Sequence, residues 1–151
     1  MSNKKRGKIP FSQVQAKNRQ PIKTEKTISI SLCYLSKNKN RNFNFFSDKN
    51  LRQKEKVLTD FFDFVKRLTG KTRLEILSKN KSSDCGFENL NFQSIKFKPD
   101  GVELSKDTNI SVFRFGDNNS GGNYRVLGFF SEDNPIFNII GFDFDYSAYE
   151  H

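Results

Sequence analysis

The last third of the chain contains three runs of β-branched and aromatic residues separated by polar turn sequences. The runs are NISVFRF from Asn109, YRVLGFF from Tyr124 and IFNIIGFDFD from Ile136. The connections DNNSGGN and SEDNP supply the Gly, Asn, Asp and Pro residues that turns favour. This pattern predicts an antiparallel meander of three strands.

Two more strands are predicted before the meander. Residues 28–35, ISISLCYL, alternate apolar and small side chains with the period of a half-buried strand, which places Cys33 in the core. Residues 92–98, FQSIKFK, have strand character and are followed by a Pro-Asp-Gly turn. Cys85 lies in the polar sequence SSDCGF and is expected to be exposed.

Two helices are predicted between these strands. Apolar residues recur every three to four positions over residues 48–68, and Gly70 follows as a stop signal. Thr72 and Glu75 have the spacing of a capping box, which predicts a short second helix to about Ser78. The predicted fold class is α+β, with an antiparallel sheet of about four to five strands and one long and one short helix packed on it.

The hydrophobic content supports one globular domain. The chain has 151 residues, of which 34% are hydrophobic and 17 are Phe, a residue that buries a large area. Residues 27–151 are therefore predicted to form a single α+β domain. Residues 1–26 combine high charge, two prolines and few apolar residues, which predicts a basic, mobile N-terminal arm.

Basic residues are concentrated in the first half of the chain. The formal net charge is +9; residues 1–26 contain eight Lys and Arg against one acidic residue, and residues 37–81 contain thirteen against five. This distribution favours a nucleic-acid partner, because neutralisation of phosphates by Lys and Arg releases counterions. The alternative is a compositional bias toward Lys, Asn, Phe and Ile imposed by an AT-rich genome.

The sequence contains no recognisable signal for export, membrane insertion or cofactor binding. It has two cysteines, no signal-peptide core and no apolar run long enough to span a bilayer, so we expect a cytoplasmic location and no membrane partner. Metal-ligand spacings, phosphate-binding glycine loops and nucleophile elbows are missing. We therefore expect no cofactor and no metal site.

Basic and aromatic residues alternate in the sequence KNKNRNFNFF that follows the first predicted strand. Lys37, Lys39 and Arg41 are suited to pairing with phosphates while the phenylalanines stack on bases. The alternative is a loop whose phenylalanines fold into the core.

Two arginines lie inside predicted strands of the meander. Arg114 alternates with Val112, and Arg125 follows Tyr124. Because a strand side chain projects to one sheet face, this pair on adjacent strands is placed to converge on one concave patch. The alternative is a pair of rim arginines bonded to Asp or Glu.

A strand, two helices and a closing antiparallel meander that carries arginines and ends in aromatic residues and a histidine resemble the RelE/ParE superfamily of bacterial toxins. The resemblance is most specific at RVLGFFSEDNPIFNIIGFDFDYSAYEH, over residues 125–151. Ribonuclease members of that family cut messenger RNA without a metal, using basic residues on the sheet and Tyr or His near the C-terminus. A cognate antitoxin covers their site. The resemblance therefore implies RNA, including ribosome-bound mRNA, and an antitoxin as partners.

The family's roles transfer to four residues of this chain. Arg114 and Arg125 would hold the scissile phosphate, and Tyr149 or His151 would move protons, since an imidazole can act as acid or base near neutral pH. Further RNA contacts are expected at basic and aromatic positions outside this set: Lys37, Lys39, Arg41, Lys71, Arg73 and Tyr146. His151, the only histidine, has the alternative of a frayed chain end, and the tyrosines that of core or rim aromatics.

This chain departs from the family pattern in its length, its basic arm and the acidic residues near the proposed site. Asp143, Asp145 and Glu150 would repel phosphate, unless they orient the arginines. The leading hypothesis is a toxin of a toxin-antitoxin or phage-defence system that acts as a metal-independent endoribonuclease on mRNA. The alternatives are a non-catalytic RNA- or DNA-binding module and a protein-interaction subunit of a defence system.

Overall fold

The computed structural model describes residues 25–47, 51–78, 85–116 and 124–151. Within these ranges it contains five strands and two α-helices: β1 (Ser29–Ser31), α1 (Leu51–Thr69), α2 (Arg73–Leu77), β2 (Phe87–Asn91), β3 (Asn109–Phe115), β4 (Tyr124–Phe130) and β5 (Ile136–Asp143). Single 3₁₀ turns occur at Lys39–Arg41, Phe43–Phe46 and Phe92–Ser94. Most of the predicted basic arm, residues 1–24, lies outside the described residues.

The strands form one mixed sheet in the order β1-β5-β4-β3-β2. The meander β3-β4-β5 is antiparallel as predicted, and β2 pairs antiparallel with β3. The prediction of a wholly antiparallel sheet is wrong for β1, which runs parallel to β5 with Ser29 opposite Ile136. A hairpin turn fixes the direction of the strands it joins, but β1 reaches β5 only after the helices and three other strands, so no local signal sets its direction.

The predicted strand at residues 92–98 is not formed. The chain makes a 3₁₀ turn at Phe92–Ser94 and continues irregularly, and the strand in this region is β2, which precedes it. Ile95 and Phe97 both pack on one apolar cluster of the sheet. They do so from an irregular segment and not as members of a hydrogen-bonded strand. The apolar character of the segment therefore reflects its packing as a cover over the sheet.

Helix α1 covers one sheet face, which we call the helical face. Its buried residues recur at helical spacing and are Val57, Phe61, Phe64 and Leu68. Phe61 and Phe64 contact Phe115, with ring centroids 5.7 and 6.1 Å apart. Phe46 is 1% exposed, and Phe43 and Phe45 pack against the same core. The phenylalanines of the basic and aromatic stretch thus fold into the core, as one of the two alternatives predicted.

The opposite face, which we call the outer face, is covered by irregular segments. Its buried strand residues are Ile110, Val112, Leu127 and Ile140. Phe97 covers them from the segment after β2, and Ala148 and Tyr149 cover them from the C-terminal segment, residues 144–151. The outer face therefore carries a second hydrophobic core. At one end of it, polar side chains of β3, β4 and β5 lie opposite one another.

Short helix α2 begins with the predicted capping box. Thr72 Oγ1 accepts a hydrogen bond from the Glu75 amide at 3.2 Å, and Glu75 Oε2 accepts one from the Thr72 amide at 2.7 Å.

Both cysteine predictions are wrong: Cys33 is exposed and Cys85 is buried. Cys33 lies in a turn, because β1 ends at Ser31 although the alternation of apolar and small residues continues in the sequence.

Neither described helix is both long and apolar enough to cross a bilayer.

Candidate active site at the end of the outer sheet face

Arg114 on β3 and Arg125 on β4 are directly opposite one another in the strand register. Alternation places Arg114 on the same face as Val112 and Arg125 on the same face as Leu127, and both of these apolar residues belong to the outer-face core. Arg125 is 7% exposed and Arg114 is half-buried. The two predicted arginines are therefore neighbours on the same sheet face.

Asp143, the last residue of β5, extends this row onto a third strand, because it is opposite Arg125 in the register. Its side chain is fully buried. Its Oδ1 accepts hydrogen bonds from Arg41 Nη1 at 3.2 Å and from the amides of Ser147 and Ala148 at 3.0 and 3.3 Å. Its Oδ2 lies 2.9 Å from His151 Nε2. Asp143 thus joins the sheet, a distant loop and the C-terminal segment.

The C-terminal segment turns back over the outer face directly after β5. Tyr146 has a φ of 60°, which is uncommon for a residue with a side chain and is maintained where the surroundings compensate for the strain. Asp145 Oδ1 accepts hydrogen bonds from the Ser147 hydroxyl at 2.6 Å and from its amide at 3.2 Å. This turn returns Tyr149 and His151 to the row of charged residues.

Tyr149 is 3% exposed, and its hydroxyl donates to Glu88 Oε1 at 2.9 Å. Its ring centroid lies 4.1 Å from that of His151. Burial and the hydrogen bond to the Glu88 carboxylate raise the pKa of Tyr149 well above its usual range. The phenol therefore stays protonated at neutral pH and supports the imidazole through packing.

Tyr146 is the exposed aromatic residue of the site. It is 52% exposed, and its ring centroid lies 5.2 Å from that of His151 at an interplanar angle of 71°. The guanidinium carbon of Arg125 lies 5.4 Å from the centre of the Tyr146 ring, within the range of a cation–π interaction. Tyr146 and Arg125 therefore belong to the same cluster as His151.

Arg41 is a buried member of this cluster, where the sequence analysis expected an exposed RNA contact. Its Nη1 donates to Asp143 and to Asp145 Oδ1, each at 3.2 Å, and its Nη2 donates to the Ser147 hydroxyl. Burial acts to raise the pKa of Asp145, but the hydrogen bond from Ser147 and the charge of Arg41 outweigh it, so the pKa is lowered. Because Nη1 and Nη2 are engaged by these side chains, Arg41 is not placed as the exposed phosphate contact that was expected.

The other predicted RNA contacts lie outside the cluster. Lys37 and Lys39 are exposed, and Lys37 Nζ lies 3.2 Å from Asp100 Oδ2. Lys71 and Arg73 lie at the far end of the sheet, since Arg73 Nη1 donates to the Ser131 carbonyl just after β4, whereas Arg125 is near its start. At about 3.3 Å per residue these ends are roughly 20 Å apart.

Two carboxylates that bond to side chains of the site were not predicted to do so from the sequence. Asp143 was expected to repel phosphate or to orient the strand arginines, whereas its hydrogen bonds join it to Arg41 and His151, which are remote from β3 and β4 in the sequence. Glu88 was not singled out in the sequence; it lies on β2, and its carboxylate accepts the hydrogen bond of Tyr149.

We define the outer-face site as Arg114, Arg125, Asp143, Tyr149 and His151. Its two arginines can bind an anion, and the imidazole, held by a buried carboxylate, can exchange a proton. Among the residues that the structure describes, no group of three or more His, Cys, Asp or Glu side chains is placed to bind a metal ion. Comparison of the chain with protein-family models, with curated proteins and with solved structures gives no match in any of the three.

Proposed function

We propose that the protein is an endoribonuclease whose active site is the outer-face site. The observation that supports the proposal is the position of two arginines near one histidine. Two arginines in register on adjacent strands lie at the same end of the same sheet face as a histidine that is hydrogen-bonded to a buried carboxylate. The remaining residues of the site hold these groups in place.

Arg114 and Arg125 supply the phosphate-binding part of the site. Arg114 and Arg125 lie directly opposite one another on adjacent strands, so their guanidinium groups can share one anion between them. A phosphodiester carries one negative charge shared by two non-bridging oxygens, which a guanidinium group can bind through two parallel hydrogen bonds. Because negative charge on the phosphate oxygens increases during attack at phosphorus, the pair stabilises the transition state more than the bound substrate.

His151 supplies the proton transfer. With its Nε2–H donating to Asp143, its Nδ1 carries the lone pair that accepts the proton of a ribose 2′-hydroxyl. The 2′-oxygen then forms a bond to phosphorus, the bond from phosphorus to the 5′-oxygen breaks, and the proton passes from His151 to that oxygen. The products are a 2′,3′-cyclic phosphate and a 5′-hydroxyl.

Tyr149 is a positioning residue in this mechanism. Its phenol remains protonated and is bonded to Glu88, so it is poorly suited to accept a proton from substrate. Its ring, 4.1 Å from His151, limits the imidazole to one orientation. Proton transfer is therefore assigned to His151, one of the two residues that the sequence analysis offered for it.

The proposed substrate is RNA, because the reaction requires a 2′-hydroxyl. Lys37 and Lys39, which are exposed on the loop that also holds Arg41, add phosphate contacts along the strand. As an extension of the resemblance to RelE/ParE toxins, we propose that the substrate is mRNA, including ribosome-bound mRNA. We further propose that the protein acts in the cytoplasm as a toxin or phage-defence ribonuclease and that an antitoxin covers the outer-face site.

The test uses the purified chain with two matched RNA oligonucleotides, one of which has a single 2′-deoxyribose at the cleaved position. We expect cleavage of the all-ribose strand to a cyclic phosphate, no cleavage at the deoxy position, and undiminished rate in EDTA. His151→Gln should lower kcat by about 10² to 10⁴-fold while RNA affinity is retained. Glu150→Gln, an exposed neighbour, is the matched control.

Two further outcomes decide between the proposals. Growth arrest on expression that His151→Gln abolishes would support a toxin. Cleavage that persists at the deoxy position, or that His151→Gln leaves unchanged, would overturn the assigned chemistry.

A second candidate is a non-catalytic RNA-binding module. The observation that favours it is that the carboxylate of Asp143 lies within the outer-face site and those of Asp145 and Glu88 bond to Arg41 and Tyr149 beside it, since such groups repel a phosphate. In this case Lys37 and Lys39 would bind RNA, and the outer-face site would only stabilise the fold. Salt-sensitive RNA binding without cleavage by the intact protein would establish this candidate in place of the first.

A further inference from the structure

Arg41 reaches the outer-face site from a part of the chain that is remote in sequence. It ends the 3₁₀ turn Lys39–Arg41, which begins with the Asn38 side chain accepting a hydrogen bond from the Asn40 amide at 3.0 Å. From there its guanidinium group contacts Asp143, 102 residues along the chain. It also lies over the Phe97 ring, 5.7 Å from the centroid. The turn thus projects one cation into the second core.

The contacts of Arg41 are divided between the sheet and the C-terminal segment. Nη1 bridges Asp143, which belongs to β5, and Asp145, which begins the turn, while Nη2 binds the Ser147 hydroxyl. With the Ser147 and Ala148 amides, Arg41 saturates Oδ1 of Asp143. Rotation of the Asp143 carboxylate would break these three hydrogen bonds. The carboxylate is therefore held in one orientation, with Oδ2 facing His151.

We infer that Arg41 is a positioning residue for His151, acting through Asp143. This inference rests on the proposed function, because it gives Arg41 a role in the reaction. Arg41 holds the carboxylate and the returning turn in one arrangement, and the carboxylate holds Nε2 of the imidazole, which leaves Nδ1 directed at substrate. The guanidinium group of Arg41 is occupied by Asp143, Asp145 and Ser147, so Arg41 acts without contacting the RNA.

The single histidine of the chain allows a direct test that does not need activity. Diethyl pyrocarbonate acylates free imidazole nitrogens, and the change in absorbance reports one residue. In Arg41→Met the Asp143 carboxylate loses its orienting cation, so the lone pair is no longer fixed on an outward-facing Nδ1, and His151 should react severalfold more slowly than in the wild type. Lys96→Gln removes an exposed ion pair to Glu150 of the same segment and should leave the rate unchanged.

Cleavage kinetics then separate positioning from a purely structural role. Arg41→Met should lower kcat by about 10²-fold with little change in KM, since a displacement of about 1 Å at a catalytic group has that cost. The double variant Arg41→Met/Asp143→Asn should be no slower than Asp143→Asn alone, because Arg41 acts through that carboxylate. If Arg41→Met does not fold, Arg41→Lys, which keeps the charge but not the two-pronged geometry, replaces it in both measurements.

The outcomes are distinct. An unchanged acylation rate in a folded Arg41 variant would overturn the inference, as would additive losses of kcat in the double variant. Lack of cleavage by the wild-type protein, together with slower acylation in Arg41→Met, would overturn the proposed function and leave only the placement of His151 by Arg41 and Asp143. An unchanged acylation rate in a protein that cleaves RNA would reject the role of Arg41 and keep the ribonuclease.

Discussion

At the scale of single residues, Asp143 shows how a buried charge can organise a site. Burying a lone carboxylate is costly, and in this protein the cost is offset by hydrogen bonds from Arg41, His151 and two backbone amides. Removing one partner would leave a buried charge poorly compensated. The residues around Asp143 therefore depend on one another, and their substitutions should not be additive.

Tyr149 provides a prediction for pH dependence. Its pKa is raised in the folded state, so its contribution to stability is fully present below the unfolded value of about 10 and is lost as the pH rises through the folded value. Tyr149→Phe should cost about 1.5–3 kcal/mol at pH 8, where the hydrogen bond to Glu88 is intact.

Urea unfolding of both proteins at pH 8 and pH 11 measures this effect. The difference in unfolding free energy between wild type and Tyr149→Phe should shrink at pH 11. A difference that stays constant, or that grows with pH, would show that the phenol does not titrate as its surroundings indicate.

At the scale of elements, the meander depends on the close approach of β4 and β5. The register shifts between Leu127 and Gly128, so the ladder contains an irregularity at that point. A Cβ atom at Gly128 would lie 2.7 Å from Cζ of Phe137 and would also meet the backbone of β5. The glycine is thus required by space, since its φ lies outside the left-handed range.

Gly128→Ala should therefore destabilise the protein by about 1–3 kcal/mol, the usual cost of overpacking a core. Gly70→Ala is the matched control, because a Cβ there would meet its nearest atoms at 3.5 Å. At such a compatible position the alanine should be neutral or stabilise by about 0.4–1 kcal/mol, by reducing the freedom of the unfolded chain. Thermal unfolding of the two variants tests the contrast, and equal melting temperatures would contradict the assigned clash.

At the scale of the whole molecule, the residues proposed to cleave RNA and the lysines proposed to bind it lie on different segments of the chain. The outer-face site is formed by three strands and the C-terminal segment, whereas Lys37 and Lys39 lie on the loop after β1. Phosphate contacts outside a site add affinity without sequence information. Binding and cleavage should therefore respond to different substitutions.

The double variant Lys37→Gln/Lys39→Gln should weaken RNA binding and reduce its salt dependence. Each lost phosphate contact lowers the slope of log K against log salt by about 0.7 for a single strand, so the two together should lower it by roughly 1.4. The kcat at saturating RNA should change little. Lys106→Gln, an exposed lysine from the acidic half of the chain, is the control, and an unchanged slope in the double variant would remove the loop from the RNA interface.

The sequence by itself determined the elements that local interactions specify. The meander, helix α1 and the capping box of α2 formed as predicted, because hydrophobic period, turn residues and caps act within a few positions of one another. Alternation on adjacent strands also predicted that Arg114 and Arg125 share one sheet face, where they are opposite one another in the register. His151 and Tyr149 were found as candidates, but their partners were not.

Only the tertiary structure decided the direction of β1, the burial of Arg41 and the use of residues 92–98 as a cover over the sheet. Each of these depends on contacts between residues far apart in the chain, and the bond between Arg41 and Asp143 spans 102 positions. A local pattern records that a residue is basic or apolar. It does not record which carboxylate or which sheet face that residue will meet, because several partners satisfy the same pattern until the whole chain is packed.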